Sequence, residues 1–345
     1  MKKILLVGGG GYVGAVLAHE LAERGYAIRI LDRFYFGQQG LADIRDRVEV
    51  IAGDMRAIKP ELLESVDTVI NIGGLSNDPT AEYNPKANFE MNTTASLQLA
   101  QLCLAHGVPR YLYASSCSIY DRGVADEERD VLLDETSEVD PRAAYSSSKR
   151  AAEIGLLQLA SPQFTVCILR KGTLYGFSPR MRYDLVVNTF VKDALSQGTL
   201  TVHYGGEMWR PLADVRDAAR AYGLLAQADA KVINGQIYNL VYRNFRISEV
   251  ALRVREALRE CGVKVELRAD YAYKGVRNYR VSGRKLEVAL GFRPAVSIEE
   301  SVTTMVAEIR RRQYTDFDNP RYYNIRWMRA LEEAQQVIAT TGSVF

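Results

Sequence analysis

The chain has 345 residues, 47% hydrophobic and 25% charged, the composition of a globular protein with a sizeable core. Lys and Arg number 44 against 42 Asp and Glu, a net charge of +2, so no whole-molecule field holds nucleic acid or an anionic membrane, and any anion site must be a local cluster. No apolar run approaches the ~20 residues that span a bilayer. The 4 cysteines lie far apart without a C-x-x-C and the histidines number 3, which excludes a disulfide scaffold or zinc ribbon and predicts a cytoplasmic enzyme with no catalytic metal.

The first apolar run ends at Val7 in a stretch of glycines, too short for a signal peptide and right for a buried strand, Ile4 to Val7. Val7-Gly8-Gly9-Gly10-Gly11-Tyr12-Val13-Gly14 follows it and opens a helix over Tyr12 to Arg24. Gly8, Gly11 and Gly14 satisfy G-x-x-G-x-x-G, and Gly9, Gly11 and Gly14 satisfy G-x-G-x-x-G. Such a loop lets a pyrophosphate approach the helix N-terminus, where the free N–H groups of residues such as Tyr12 and Val13 and the helix dipole favour anions. Taken alone, it is equally a tight turn with no ligand.

A second strand, Ala27 to Leu31, leads to Asp32, 18 residues beyond Gly14, where a carboxylate accepts hydrogen bonds from an adenosine ribose. It would repel a 2′-phosphate, so NAD is favoured over NADP; Arg33 beside it works slightly the other way. Val48 to Ala52 is the third strand, and Asp54, with Met55 after it, is placed either to reach the adenine amino group or to cap the next turn. A strand over Asp67 to Ile72, a helix over Asn92 to His106 and a strand over Tyr111 to Ala114 follow. Ser115-Ser116-Cys117-Ser118 continues from that strand end, where open α/β sheets place ligands. A helix after Tyr145 and a strand over Thr165 to Leu169 complete the series. Strands separated by helices predict an α/β fold, a doubly wound parallel Rossmann sheet.

In Tyr145-Ser146-Ser147-Ser148-Lys149 the phenol and the ammonium stand one helical turn apart. A lysine beside a tyrosine, with the positive nicotinamide of NAD, favours the phenolate, which can take a hydroxyl proton as hydride leaves for the nicotinamide; a serine hydroxyl in the stretch Ser115 to Ser118 can share the substrate oxygen. Beyond Tyr175 the pattern loosens. Phe177 to Arg180 and Gly205-Gly206 read as loops, Ala213 to Ala228 as a helix, Gln236 to Leu240 as a strand returning to the sheet, Ile247 to Cys261 as a helix and Val263 to Arg268 as a strand. The predicted organisation is a dinucleotide domain over 1–175, joined by part of 213–240, a smaller α/β substrate domain over 176–315, and a tail over 316–345 with a helix to about Ala339.

Together these residues resemble the extended short-chain dehydrogenase/reductase superfamily, in its NAD-dependent epimerase/dehydratase branch acting on nucleotide sugars. The resemblance runs over nearly the whole chain. It implies Ser116, Tyr145 and Lys149 as the catalytic set, Asn71, Gly73, Gly74 and Asn92 beside the cofactor, and Leu75 and Ser76 beside the substrate. It further implies Asn188, Arg210 and Arg277 as ligands of the sugar-nucleotide diphosphate, and Asp217 as structural. Two guanidiniums can fork onto a phosphate pair. The partner so implied is a nucleoside-diphosphate sugar, and the assembly a homodimer. Val7 and Thr173 depart from the family's usual threonine and asparagine.

Relatives that catalyse 4,6-dehydration carry Asp-Glu directly after the catalytic Ser or Thr; here those positions are Cys117 and Ser118. Relatives that epimerise at C3 and C5 use a cysteine at the position of Ser118, one beyond Cys117. Cys117 and Ser118 are therefore candidate catalytic residues whose chemistry fits neither pattern, Cys117 reading equally as a buried apolar residue. What remains is a C4 epimerase that oxidises and re-reduces the sugar with retained NAD, or a 4-ketoreductase using NAD(P)H. Asp32 favours the epimerase. A nucleotide-sensing Rossmann protein would have no use for the Ser–Tyr–Lys set.

Overall fold

The computed structural model describes residues 2–121, 131–271 and 277–343. Seven parallel strands form the central sheet, in the order Gln236–Leu240, Thr165–Lys171, Arg110–Ser116, Thr68–Asn71, Lys3–Val7, Ala27–Asp32, Val48–Ala52. The inner strands are apolar on both faces because helices cover both: Ile4, Leu5, Leu6 and Val7 are all buried. One face packs on the helices Tyr12–Glu23 and Val215–Gln227, whose Ala218, Ala219 and Ala221 are buried and small enough for close helix approach. The other packs on Ala95–Ala105 and Ala144–Gln158. The chain order reverses beside Lys3–Val7, and every strand delivers its C-terminal end to the same edge of the sheet.

The second half builds its own core around Tyr183, Phe190, Phe245, Val254 and Met305. It carries a three-stranded sheet in which Trp209–Asp214 pairs with Arg243–Arg246 and Thr173–Tyr175, and a parallel pair, Thr199–His203 with Glu266–Asp270. Asp217 ties the two halves: its carboxylate accepts the Ala295 and Val296 N–H groups, at 3.0 and 2.9 Å.

Three expected elements differ in detail. The helix expected over Ala213 to Ala228 starts at Val215, because Asp214 ends a strand and caps the helix through the Arg216 N–H. The strand expected over Val263 to Arg268 runs over Glu266–Asp270. The helix expected from Asn92 begins with a π turn, Glu90–Thr94, which adds a residue where Asn92 meets the sheet edge.

Candidate active site

The sheet edge is cut by a cleft lined by the glycine loop, Asp32, Arg33, Tyr35, Phe36, Asp54, Met55, Gly73 to Ser76, Arg180 and Arg182. Its floor is two turns in contact. Gly8 has φ +89°, and a Cβ there would stand 2.7 Å from the Gly73 backbone. A Cβ on Gly14 would stand 2.2 Å from the Gly8 carbonyl oxygen. Only glycine permits this packing of loop on helix. Gly11, by contrast, meets nothing closer than 3.4 Å. It is the N-cap of Tyr12–Glu23, and neither a side-chain cap nor an acidic first-turn residue occupies that helix end. Free N–H groups and the positive end of the dipole thus face the cleft. The Tyr12 hydroxyl donates to the Gly176 carbonyl at 2.7 Å, fastening the two halves beside it.

Asp32 accepts the Gly10 and Phe34 N–H groups at 2.9 and 2.7 Å. Burial pushes its carboxyl up, and those bonds with the nearby Arg180 charge oppose the rise. Asp54 is less free than expected. Its carboxylate holds Arg33 at 3.1 Å and Arg56 at 2.6 Å, and also caps a short turn through the Arg56 N–H. Those arginines set its carboxyl low. Arg33, drawn to Asp54 and over the Tyr35 ring at 4.3 Å, is committed to them.

Two residues expected at the cofactor act behind it. Asn71 is buried, accepts the Gly73 N–H at 3.1 Å and donates to Tyr111 and Ser96, so it shapes the Gly73 turn. Asn92 donates to the Leu75 carbonyl and to Ser148, joining the cleft wall to the Tyr145 helix; among the described residues its Oδ1 has no partner.

Tyr145 stands near Ser116 at the end of Arg110–Ser116, where the serine hydroxyl pulls its phenol down, and the Ser116 oxygen accepts the Ser118 N–H at 3.1 Å. Lys149 is buried on the same helix, but its ammonium donates to the Tyr113 hydroxyl at 3.2 Å and lies 4.8 Å from that ring's centre. The cation whose field pulls on Tyr145 is Arg182. The Lys149 ammonium, expected to act on the Tyr145 phenol together with the nicotinamide, thus has its hydrogen bond to Tyr113. Burial dominates, pushing Tyr145 up to about 12 and, with the like charge of Lys171, Lys149 down to about 7.

Cys117 and Ser118, like Ser116, Tyr145 and Lys149, lie outside the cleft lining. The fully buried Cys117 thiol donates to the Arg170 carbonyl at 3.3 Å and is pushed up by burial. Ser118 is buried with its hydroxyl unpartnered among the described residues. The expected diphosphate ligands are also otherwise engaged. Asn188 is fully buried, accepting the Gly176 N–H at 2.9 Å and donating to the Arg182 carbonyl at 2.9 Å. Arg277 pairs with Asp78 and with Asp121 at 3.3 Å, and Arg210 donates to the Trp209 and Arg277 carbonyls.

Sequence reasoning passed over Arg180 and Arg182, treating their segment as a loop. Both are buried in the cleft wall. Arg182 forks onto Asp184 at 2.8 and 3.0 Å. Arg180 stacks over Phe36 at 3.6 Å and donates to the Asn324 side-chain oxygen at 2.7 Å, while its Nε has no partner among the described residues. Two arginines two residues apart, in the loop between Thr173–Tyr175 and Val186–Gln197, were the available signal. A buried cation without a carboxylate hydrogen-bonded to it, beside an uncapped helix end and a loop of obligatory glycines, fits a dinucleotide diphosphate.

The comparisons agree with this geometry. The model of the NAD dependent epimerase/dehydratase family matches residues 4–240. The chain belongs to that family. It is an NAD-dependent enzyme of the extended short-chain dehydrogenase/reductase type. A UDP-N-acetyl-alpha-D-glucosaminuronate decarboxylase of Bacillus cytotoxicus is 27% identical over 322 residues, covering 90% of this chain and 98% of the relative. UDP-glucuronic acid decarboxylase 1 of Xenopus tropicalis is 25% identical, covering 90% and 72%. Among solved structures, MoeE5 in complex with UDP-glucuronic acid and NAD has a TM-score of 0.77 at 23% identity, covering 90% of this chain and 99% of that one. The UDP-glucose 4-epimerase of Thermotoga maritima has a TM-score of 0.77 at 22% identity, with the same coverage. These two share its fold.

Tyr145→Phe should cut turnover by ~10²–10⁴-fold while leaving NAD binding and the urea midpoint near wild type, since only a proton carrier is lost. Stopped assays with calorimetry for NAD check it, and near-normal turnover would remove Tyr145 from the chemistry. The pH profile tests the Tyr145–Lys149 pair. Below about 7 both groups hold their protons and no base is present; above it Lys149 is neutral and can accept a proton, while Tyr145, pushed up to about 12, keeps its own. kcat/KM should therefore rise with pH through about 7. Lys171→Met removes the like charge that lowers Lys149, so the rise should move to higher pH. An unmoved profile would exclude this coupling.

Proposed function

We propose that the protein inverts C4 of a nucleoside-diphosphate sugar by oxidation to a 4-keto sugar and re-reduction on the other face. The observation that carries the reading is the Ser116–Tyr145 pair at the strand end, with Cys117 and Ser118 turned into the fold. One hydroxyl pair is enough to move the C4 hydroxyl proton off and on; dehydration asks for a further acid and base, which this strand end does not carry. NAD, when bound, accepts the hydride and returns it. Tyr145 takes the proton and gives it back, Ser116 hydrogen-bonds the same oxygen, and the residues expected to hold the cofactor are Gly8 to Gly14, Asp32, Gly73, Gly74 and Arg180. Asp32 at the strand end supports NAD over NADP, with Arg33 committed to Asp54. The sugar-nucleotide phosphates are assigned to Arg277, where they would compete with Asp78 and Asp121.

A second reading is decarboxylation of a nucleotide-linked uronic acid. It is favoured by the decarboxylases among the relatives and by Arg182, whose charge acts on Tyr145 and could hold a sugar carboxylate. Both readings share the oxidation at C4. Incubation with UDP-glucose and UDP-glucuronic acid, followed by chromatography and mass spectrometry, should give a second peak of unchanged mass and no net change in reduced nicotinamide. A product lighter by CO2 would establish the decarboxylase instead, and stoichiometric consumption of NADH or NADPH a ketoreductase.

We further propose a cytoplasmic location, in keeping with its free cysteines. Among the described residues no helix is long and apolar enough to cross a membrane. Phe89 and Ile154, 51% and 48% exposed, are proposed to lie in a homodimer contact, as large apolar side chains otherwise in water. Sedimentation should show a dimer that Ile154→Glu dissociates; a monomeric wild type would remove the contact.

A further inference from the structure

The tail reaches the cofactor cleft from outside the segment matched by the family model. Its first part is anchored on the second-half core. Tyr322 and Phe317 pack edge-on against Tyr183 at 4.8 and 5.3 Å, and the Tyr322 carbonyl accepts the Tyr183 N–H at 3.0 Å. The helix Asn324–Thr341 then crosses to the dinucleotide half. Asn324 and Met328 line the cleft. The Asn324 amide spans it, donating to the Ser76 hydroxyl at 2.8 Å and accepting from Arg180 at 2.7 Å. The Trp327 indole donates to the Tyr35 carbonyl at 2.5 Å, on the loop that follows Asp32. Glu332 accepts from the Tyr83 hydroxyl at 2.5 Å, and Arg329 lies over that ring.

These contacts are not those of a helix held by a core. Of its 18 residues only Asn324 is buried, and Val337 and Ile338 stand exposed. Burial of apolar area contributes little, and a helix of this length gains little from propensity alone. What fastens it is a set of polar contacts around the cleft mouth. Arg180 meets a neutral amide there, so its buried charge remains available to an anion while Asn324 fixes its direction.

We propose that Asn324–Thr341 is a strap over the dinucleotide site: Asn324 and Met328 complete the cofactor-binding wall, Asn324 aims Arg180 at a phosphate of the dinucleotide, and Trp327 latches the strap to the Tyr35 loop. The dinucleotide leaves only when the latch opens, so the strap governs how long it stays. The inference rests on the NAD cleft and not on which sugar carbon reacts, and its test uses no substrate.

Full-length protein is loaded with radiolabelled NAD and mixed with a large excess of unlabelled NAD, and retained label is followed on a filter. Asn324→Ala and Trp327→Ala should each release label about tenfold faster than wild type, as expected for losing a charge-assisted or buried hydrogen bond. Val337→Ser, on the exposed side of the same helix, should release it at the wild-type rate. Hydrogen exchange should show the amides of residues 324–331 slowed when NAD is added. Wild-type release in both cleft-side variants, or exchange in 324–331 indifferent to NAD, would overturn the proposal. Should Trp327→Ala fail to fold, Asn324→Ala decides, since it removes one amide and leaves the helix apolar contacts in place.

Discussion

The turns after Lys3–Val7 and Thr68–Asn71 meet with no room for a side chain between them, and the site is arranged around that contact. Gly8 and Gly73 touch through backbone, held from behind by Asn71 accepting the Gly73 N–H. The contact lets the helix Tyr12–Glu23 begin at the sheet edge with its N-terminus bare, and it leaves Gly73 to Ser76 as the facing wall. Because all seven strands run parallel, Asp32, Ser116 and Lys171 end on that same edge. Burial of both sheet faces thus fixes the register of the core and, with it, the address of the chemistry.

Within that frame the site is governed by the cost of burying charge. Arg182 offsets it with Asp184, and Arg170 with Glu153, at 2.7 Å. Lys149 gives way instead, its ammonium pushed down by burial and by Lys171 while Tyr145 is pushed up. Lys149 is therefore the one of the two that changes its protonation near neutral pH. Arg180 is the remaining case, with stacking on Phe36 and a neutral amide in place of an ion pair, in the wall of the cleft.

The chain determined much of this by itself. Apolar runs between helical segments specify a parallel sheet, since strands buried on both faces carry no alternation and need crossovers. The spacing from Gly14 to Asp32 and from Tyr145 to Lys149 is local, so the glycine loop, the acidic strand end and the Tyr–Lys pair are legible by counting, while Ser116 was singled out by the family resemblance. Tertiary structure decided what depends on facing partners. Asp54 has the right position for a ligand, yet Arg33 and Arg56 take its carboxylate; Arg277 is taken by Asp78 and Asp121. Cys117 follows Ser116 by one residue, and that one step turns its thiol to the Arg170 carbonyl. Asn324 and Met328 reach the cleft from a helix near the end of the chain, hundreds of residues from the glycine loop. No spacing announces such a contact, because it is made by the packing of separate elements and not by the period of any one of them.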